Sequence, residues 1–196
     1  MVPPDSLEGE EHFVKAKDAA LRFLTYRARS EAEVRRRLSK KYGPAVIEQV
    51  IETLLRQNFL DDSSFAQVWR DNRELHRPRA KRMVQQELRQ LGVSSDVIQD
   101  SLEGYSDESN AYDAGIKLAR KLASRNFSDE ELRRRISSLL QRRGFSYGMV
   151  RETVEKLCGE LGADSLHRQD DAKNHEEESQ PPDTKADRDA QQSKQS

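Results

Sequence analysis

The chain carries the same helix-start signal at two distant points, each just ahead of an apolar stripe. Ser30 is followed three positions later by Glu33, and then by Val34 and Leu38. The arrangement returns 98 residues further on, at Ser128. A serine with a glutamate three residues later forms a capping box, which satisfies free backbone N–H groups at a helix start. The two sites therefore predict two equivalent capped helices.

A third copy of the stripe lies between these two, at an offset of 50 residues from the first, with Ala80 at the cap position. Each stripe ends near a glycine, at Gly43, Gly92 and Gly144, where a left-handed helix stop is expected. After each glycine, apolar residues follow at i, i+4 and i+7, which indicates another helix. These sets are Ile47, Ile51 and Leu54, then Ile98, Leu102 and Tyr105, then Val150, Val154 and Leu157.

A helix also precedes each stripe, so the pattern predicts three copies of a three-helix unit at a period near 48–50 residues. No alternating run of β-branched residues indicates a strand. We therefore predict an all-α fold in which three tandem three-helix repeats form an elongated, curved body. The predicted repeats span residues 15–60, 61–106 and 107–162.

Both ends of the chain differ in composition from this body. Residues 163–196 contain one Leu and no Val, Ile, Met or aromatic residue. Such a segment cannot bury enough apolar surface to offset the entropy of ordering. We predict disordered acidic termini over residues 1–14 and 163–196.

The boundary between the first two repeats carries its own signals. Asp61 is the predicted N-cap of a helix, and Leu60 and Phe65 on either side of it form a hydrophobic staple. Phe127 and Leu132 flank Ser128 at the same spacing. Helix capping accounts for the neighbouring carboxylates of Asp61 and Asp62 better than a catalytic pair does.

The net charge of −1 conceals a basic body between acidic ends. Residues 15–162 hold 29 Lys and Arg against 22 Asp and Glu, whereas both terminal segments are acidic. The body can therefore attract polyanions, and the acidic segments can compete for the same surface.

Several functional classes find no support in the sequence. The four histidines are scattered and show no metal-ligand spacing, and there is no phosphate-binding glycine loop or nucleophile elbow. We expect no metal, no cofactor and no catalytic residue. Trp69 is predicted to lie in the core, with base stacking as the less favoured role. A single cysteine, Cys158, fits a reducing cytoplasm, and neither a signal peptide nor an apolar span is apparent.

Three segments resemble the signatures of a known family. Residues 24–38, 58–66 and 79–93 resemble, in order and spacing, the three motifs of the RecX family, and the resemblance extends over residues 15–160. Two departures stand out. Asn58 replaces a usual glycine, and Asn tolerates the left-handed backbone better than other residues with a side chain. Residues 78–80 replace a turn that commonly contains glycine, which leaves the start of the next helix open.

The resemblance implies a fold and a function. RecX family members bind in the helical groove of the filament that RecA recombinase forms on single-stranded DNA. They inhibit its ATPase and strand exchange, limit filament growth, bind DNA weakly and are not enzymes. The implied partners are the RecA filament and single-stranded DNA, with no membrane, and we expect a cytoplasmic monomer that acts in recombination, DNA repair and the SOS response.

Basic residues at similar places in successive repeats are the candidate contacts with the filament or DNA. We predict that they form one stripe along the body, although a single arginine of this kind is more often only part of a solvated helix face. The stripe comprises Arg27, Arg29, Arg35, Arg36, Arg37, Lys40, Lys81, Arg82, Arg89, Arg133, Arg134 and Arg135.

Two other functions remain open from the residues alone. A helix-turn-helix regulator of duplex DNA would also combine small helical units with basic helices. It would normally carry one reading unit per protomer rather than three similar ones. A helical-repeat adaptor that binds only protein is the other alternative, and the basic excess of the body argues weakly against it.

Overall fold

The computed structural model describes residues 4–125 and 127–161, and this part of the chain is helical, with no strand. The predicted all-α fold of three-helix units is confirmed. Unit 1 contains α1 (Pro4–Leu24), α2 (Glu31–Leu38) and α3 (Pro44–Arg56). Unit 2 contains α4 (Asp62–His76), α5 (Lys81–Gln90) and α6 (Ser95–Ser101). Unit 3 contains α7 (Asp107–Ala123), α8 (Asp129–Arg142) and α9, which is described over residues 147–161.

Each unit buries its own small apolar core. The predicted stripe residues Val34 and Leu38 are buried in unit 1, Val84 and Leu88 in unit 2, and Leu132 and Ile136 in unit 3. The predicted sets on α3, on α6 with the residues after it, and on α9 are also buried. The three cores are separate except at Ala80. This residue immediately precedes α5 of unit 2 but packs against the core of unit 3.

The helix-start signals act as predicted, with one difference. Ser30 and Glu33 form the complete capping box at α2. At α8 the Ser128 side chain accepts a hydrogen bond from the backbone N–H of Glu131, which is one half of a box. Asp61 caps α4 by accepting from the N–H groups of Ser63 and Ser64.

Two of the three predicted glycine stops are confirmed. Gly92 and Gly144 have φ values of +84° and +90° and follow α5 and α8. Gly43 is different: it is the N-cap of α3, with φ −73° and ψ 158°. The prediction was wrong there because Pro44 follows, and a residue before proline is driven into the extended region. Asn58 adopts the left-handed conformation expected of it, with φ +57°.

The N-terminal segment also differs from expectation. Residues 1–14 were predicted to be disordered, whereas α1 begins at Pro4. Acidic residues near a helix N-terminus interact favourably with the helix dipole, and Glu11 pairs with Lys15 one turn later at 2.5 Å. Phe13 packs against the core of unit 1, so the helix is fixed from that turn onward. The other segment predicted to be disordered, 163–196, lies outside the described residues.

A compact joint connects unit 1 to unit 2. The buried hydroxyl of Ser30 donates a hydrogen bond to the carbonyl oxygen of Leu91 at 2.5 Å. The N–H of Glu31 donates to Asp62 Oδ1 at 2.8 Å. A Cβ added at Gly92 would overlap the methyl group of Ala32, so the end of α5 lies directly on the first turn of α2.

The joint between units 2 and 3 repeats this arrangement. The N–H of Ala80 donates to the carbonyl oxygen of Arg143 at 3.0 Å, and the N–H of Lys81 donates to Asp107 Oδ1 at 2.6 Å. Gly144 lies against the side chain of Met83, as Gly92 lies against Ala32. In both joints an aspartate from the next unit accepts from the free N–H of the first residue of a helix. The three units are therefore linked in a row by one repeated contact.

Candidate protein and nucleic-acid interface

Two of the predicted stripe residues are held by one buried carboxylate. Arg27 donates to both oxygens of Glu33, at 2.6 and 3.2 Å, and Arg29 donates to it at 3.3 Å. Burial alone would raise the pKa of Glu33, but the bonds from Arg27, from the N–H of Ser30 and from Arg29 hold it below the usual value. These arginines brace the loop before α2, which limits their freedom to contact a partner.

Arg35 is also tied into the fold. It pairs with Glu31 on its own helix, with 2.7 Å between Nη2 and Oε1, and with Glu48 on α3. The second pair crosses from α2 to α3. Arg35 is still about a third exposed, so it contributes charge to the surface while it joins two helices.

The next residues along α2 and after it are open to solvent. Arg36, Arg37 and Lys40 are exposed, and within the described residues none of them forms an ion pair. Arg37 lies beside the ring of Phe23, with 5.8 Å from its guanidinium carbon to the ring centre. Arg37 and Lys40 line a concave pocket together with Lys15, Arg22 and Lys41, which the sequence patterns did not mark.

The middle unit contributes fewer free cations than the sequence predicted. Arg82 donates to the carbonyl oxygen of Gly144 at 2.6 Å, so it belongs to the joint with unit 3. Lys81 is half-buried, and its backbone N–H is bound by Asp107. Arg89 is exposed and has no acidic partner in the described part of the chain.

The third unit presents its arginines on the surface. Arg133, Arg134 and Arg135 are exposed, and no ion pair among the described residues involves them. Arg135 lies over the ring of Phe127 at 4.5 Å, which fixes its direction. Of the three stripe residues in this unit, Arg133 and Arg134 have neither an ion pair nor a ring contact with the described residues.

A second cluster of arginines was missed by sequence reasoning. The half-buried carboxylate of Glu87 accepts from Arg73 at 2.7 Å, from Arg79 at 2.6 Å and from the indole N–H of Trp69 at 2.9 Å. The sequence did contain a sign of this cluster. Glu87 stands 50 residues after Arg37, so an acid occupies in unit 2 the position that a base occupies in unit 1. Arg73 and Arg79 therefore form contacts inside the middle unit.

Trp69 is placed as predicted, within the core region of unit 2. It packs against Phe65, with 5.9 Å between ring centres, and Arg73 lies over its ring at 4.6 Å. The same residues line a pocket of about 200 Å³ that also includes Arg27 and the exposed Val68. The indole thus supports the wall of a groove between units 1 and 2.

The remaining candidate chemistry is structural. Asp61 caps α4 and Asp62 binds the start of α2, so their carboxylates act on two different helices. Burial of Cys158 raises the pKa of its thiol. Across residues 4–125 and 127–161, no group of three metal-binding side chains comes together. No helix in that part of the chain is both long and apolar enough to span a membrane.

Comparison with known proteins gives one consistent result. The chain matches the domains described as the first, second and third three-helix domains of RecX, over residues 16–54, 61–102 and 106–154. It is 35% identical over 170 residues to Regulatory protein RecX of Mycobacterium avium (strain 104), which covers 85% of this chain and 96% of that protein. It is 33% identical over 159 residues to Regulatory protein RecX of Thermobifida fusca (strain YX), which covers 78% of this chain and 86% of that protein.

Solved structures agree at the level of the fold. The crystal structure of RecX from Lactobacillus salivarius superposes with a TM-score of 0.63 at 24% identity, covering 76% of this chain and 97% of that one. A second crystal structure, of regulatory protein RecX, superposes with a TM-score of 0.61 at 22% identity. The match covers 78% of this chain and 75% of that one.

Proposed function

The chain belongs to the RecX family, and we propose that it is a regulatory protein that binds the RecA filament on single-stranded DNA. Bound in the helical groove of the filament, it inhibits ATP hydrolysis, strand exchange and filament growth. The proposed activity is binding without catalysis, and it requires no cofactor. It would act in the cytoplasm as a monomer, in recombination and DNA repair.

The observation that carries this proposal is the repeated joint. Three similar units follow one another in a row, and each is held to the next by an equivalent pair of hydrogen bonds. In each pair, the cap residue donates to the carbonyl oxygen before a glycine, and the first N–H of the helix donates to an aspartate. A filament also repeats one subunit at regular intervals along its axis. A row of equivalent modules can bind successive subunits, whereas a single module binds only one site.

The surface charge supports the same proposal. Exposed cations with no acidic partner among residues 4–125 and 127–161 lie on unit 1, at Arg36, Arg37 and Lys40, and on unit 3, at Arg133 and Arg134. Arginine and lysine in these positions can bind carboxylates of a protein surface or phosphates of DNA. The proposed mechanism is steric and electrostatic: the bound protein bridges neighbouring subunits, blocks the second DNA strand and opposes the subunit motions that accompany ATP turnover.

The test is a titration of the purified protein into RecA that hydrolyses ATP on single-stranded DNA, with filament length followed in parallel. We expect the hydrolysis rate and the mean filament length to fall together. Reversal of Arg36, Arg37, Arg133 and Arg134 to glutamate should weaken this inhibition while the helical content stays unchanged. A wild-type protein that left both the rate and the length unaltered would refute the proposal.

The control variant reverses the charge of exposed arginines away from the proposed contacts. Arg151 on α9 forms only a long pair with Glu155, at 4.0 Å, and both side chains are largely exposed. Together with Arg125 it offers charge reversal without loss of a described buried contact. The charge-matched comparison is the variant that reverses only Arg133 and Arg134. If the control variant lost as much inhibition as this one, total charge rather than the proposed surface would determine binding.

A further inference from the structure

Unit 1 contains a strongly basic pocket between α1 and the turn that follows α2. Its volume is about 310 Å³, and Leu38, Ala19 and Tyr42 form part of its wall. One acid, Asp18, also lines the pocket. The cations that line it are Lys15, Arg22, Arg37, Lys40 and Lys41.

The charge of this pocket is available to a ligand. Within the described residues, Arg22, Arg37, Lys40 and Lys41 form no ion pair, and all four are exposed. Only Lys15 is paired, through an exposed contact with Glu11. Arg22 donates from Nε to the carbonyl oxygen of Asp18 on its own helix at 3.3 Å, which leaves its two terminal amino groups for other acceptors.

The other two units do not repeat the pocket. At the offset of 50 residues, Arg37 and Lys40 correspond to Glu87 and Gln90 in unit 2. Glu87 is occupied by two arginines and an indole, so that place is already neutralised. Unit 2 therefore lacks the free cations that line this pocket in unit 1.

Unit 3 keeps part of this charge. At the offset of 98 residues, Arg22 and Arg37 correspond to Arg120 and Arg135, which are exposed. Lys15, Lys40 and Lys41 correspond to Asp113, Ser138 and Leu139, so three of the five cations are absent. The three-helix fold does not require these three lysines, because units 2 and 3 form without them.

We propose that the basic pocket of unit 1 binds the phosphodiester backbone of a single DNA strand. The proposal rests on the function above and assigns its DNA contact to one unit. A concave surface that carries several like charges focuses the field and attracts an anion more strongly than a flat one. A flexible single strand can turn its phosphates into a pocket, whereas a duplex, whose persistence length is about 150 base pairs, stays straight over the few nucleotides involved.

The experiment measures binding of the full chain to a fluorescein-labelled 20-nucleotide oligothymidylate by anisotropy, over a series of salt concentrations. The test variant carries Arg22→Gln and Lys41→Gln, two residues outside the described ion pairs. We expect about tenfold weaker binding at low salt, because two phosphate contacts are lost. The slope of log affinity against log salt should become less steep by about 1.4, which is about 0.7 for each lost contact on a single strand.

The matched control carries Arg125→Gln and Arg151→Gln, which removes the same charge from exposed positions of unit 3 outside the proposed contacts. We expect less than about a threefold change in affinity for this control. Equal losses in the two variants, or no binding by the wild-type chain, would overturn the proposal. It would equally fail if tripolyphosphate bound as tightly as the oligonucleotide, or if a duplex of the same length bound more tightly.

Inhibition of RecA by the same proteins separates this proposal from the function above. If the wild-type chain inhibits RecA but both variants bind DNA alike, only the assignment of the pocket fails. If the test variant alone loses DNA binding while the wild-type chain has no effect on RecA, only the proposed function fails.

Discussion

At the scale of single residues, the arginines of this protein fall into two groups that look alike in the sequence. Arg27, Arg29 and Arg73 are bound by buried or half-buried carboxylates and hold loops and helices together. Arg36 and Arg37 are exposed and form no ion pair with any residue that the structure describes. The residues next to an arginine in the sequence do not show which group it belongs to. The carboxylate that binds it can lie several residues away or on another helix.

Glu33 is the residue on which the start of α2 depends most. Replacing Glu33 by glutamine keeps one acceptor for the N–H of Ser30 but removes the charge that binds Arg27 and Arg29. We expect a loss of about 2 kcal/mol in unfolding free energy at pH 7, since hydrogen bonds to charged groups contribute about 1.5–3 kcal/mol. Urea unfolding followed by circular dichroism measures this difference.

The pH dependence of that difference checks its cause. The folded pKa of Glu33 lies below its usual value of 4.5, so the unfolded chain takes up the proton first on acidification. The contribution of Glu33 is therefore complete above pH 4.5 and is lost as the pH falls through the lowered pKa. Wild type and Glu33→Gln should converge in stability at the acid end of the titration, and a difference that does not depend on pH would contradict the ion-pair explanation.

Two left-handed glycines allow backbone strain to be separated from contact across the joint. Gly92 has positive φ and lies on Ala32, whereas Gly104 has φ +69° with open space around it. Alanine at Gly104 should cost about 1 kcal/mol in unfolding free energy, from the strained backbone alone. Alanine at Gly92 should cost about 2–4 kcal/mol, because the added methyl group must also displace the neighbouring helix. Equal losses in urea unfolding would show that the joint is loose.

At the scale of helices, the local signals were readable and the joints were not. The capping box at Ser30 and the N-cap at Asp61 were predicted because each acts within three residues of its own position. Asp62 and Asp107 act across 31 and 26 residues, respectively. No spacing rule reports such a contact, because it depends on how two units pack.

The aspartate of the joint gives a direct prediction. Replacing Asp62 by alanine leaves the N–H of Glu31 without its acceptor, and we expect a loss of about 1–2 kcal/mol in unfolding free energy, as for a lost helix cap. Asn at the same position keeps an acceptor. It should retain most of the stability, because burial already raises the pKa of the Asp62 carboxyl and disfavours its charge. If asparagine were as damaging as alanine, charge rather than the hydrogen bond would hold the joint.

The sequence predicted the repeats, their helices and their cores, since each follows from a periodicity that buries one face. Two predictions were wrong. Gly43 does not end a helix, because Pro44 holds it in the extended conformation. The N-terminal segment is helical from Pro4 onward rather than disordered. The candidate surface was predicted less well. Lys15 and Arg22 lie on α1, whereas Lys41 follows α2. They meet only when α1 packs beside α2, so no single motif contains them.

At the scale of the whole molecule, unit 3 differs from unit 1 on the face that forms the first joint. In the first joint, Gly92 of unit 2 packs directly against the methyl group of Ala32. The residue of unit 3 that corresponds to Ala32 is the exposed Glu130. A charged side chain at this place disfavours the close contact with a glycine that Ala32 makes. Polar outer faces of this kind are typical of repeats that do not pack against a neighbour.

The acidic C-terminal segment bears on binding through charge alone. Residues 163–196 contain nine acids and five bases, whereas the body carries an excess of bases. Removing this segment should therefore raise the affinity for single-stranded DNA at low salt, and the gain should disappear at high salt as the charges are screened. Anisotropy titrations of the two chains measure this effect, and an affinity that did not change at low salt would exclude competition by the segment.

The central claim is that the row of units recognises a protein filament on DNA rather than DNA itself. The most direct test measures binding of the labelled chain to one 60-nucleotide single strand, bare and coated with RecA and a non-hydrolysable ATP analogue, beside a duplex of equal length. We predict that the coated strand binds at least about 100-fold more tightly than either bare DNA, because contacts with successive subunits add to the phosphate contacts. Equal affinity for coated and bare strands, or a preference for the duplex, would contradict this account.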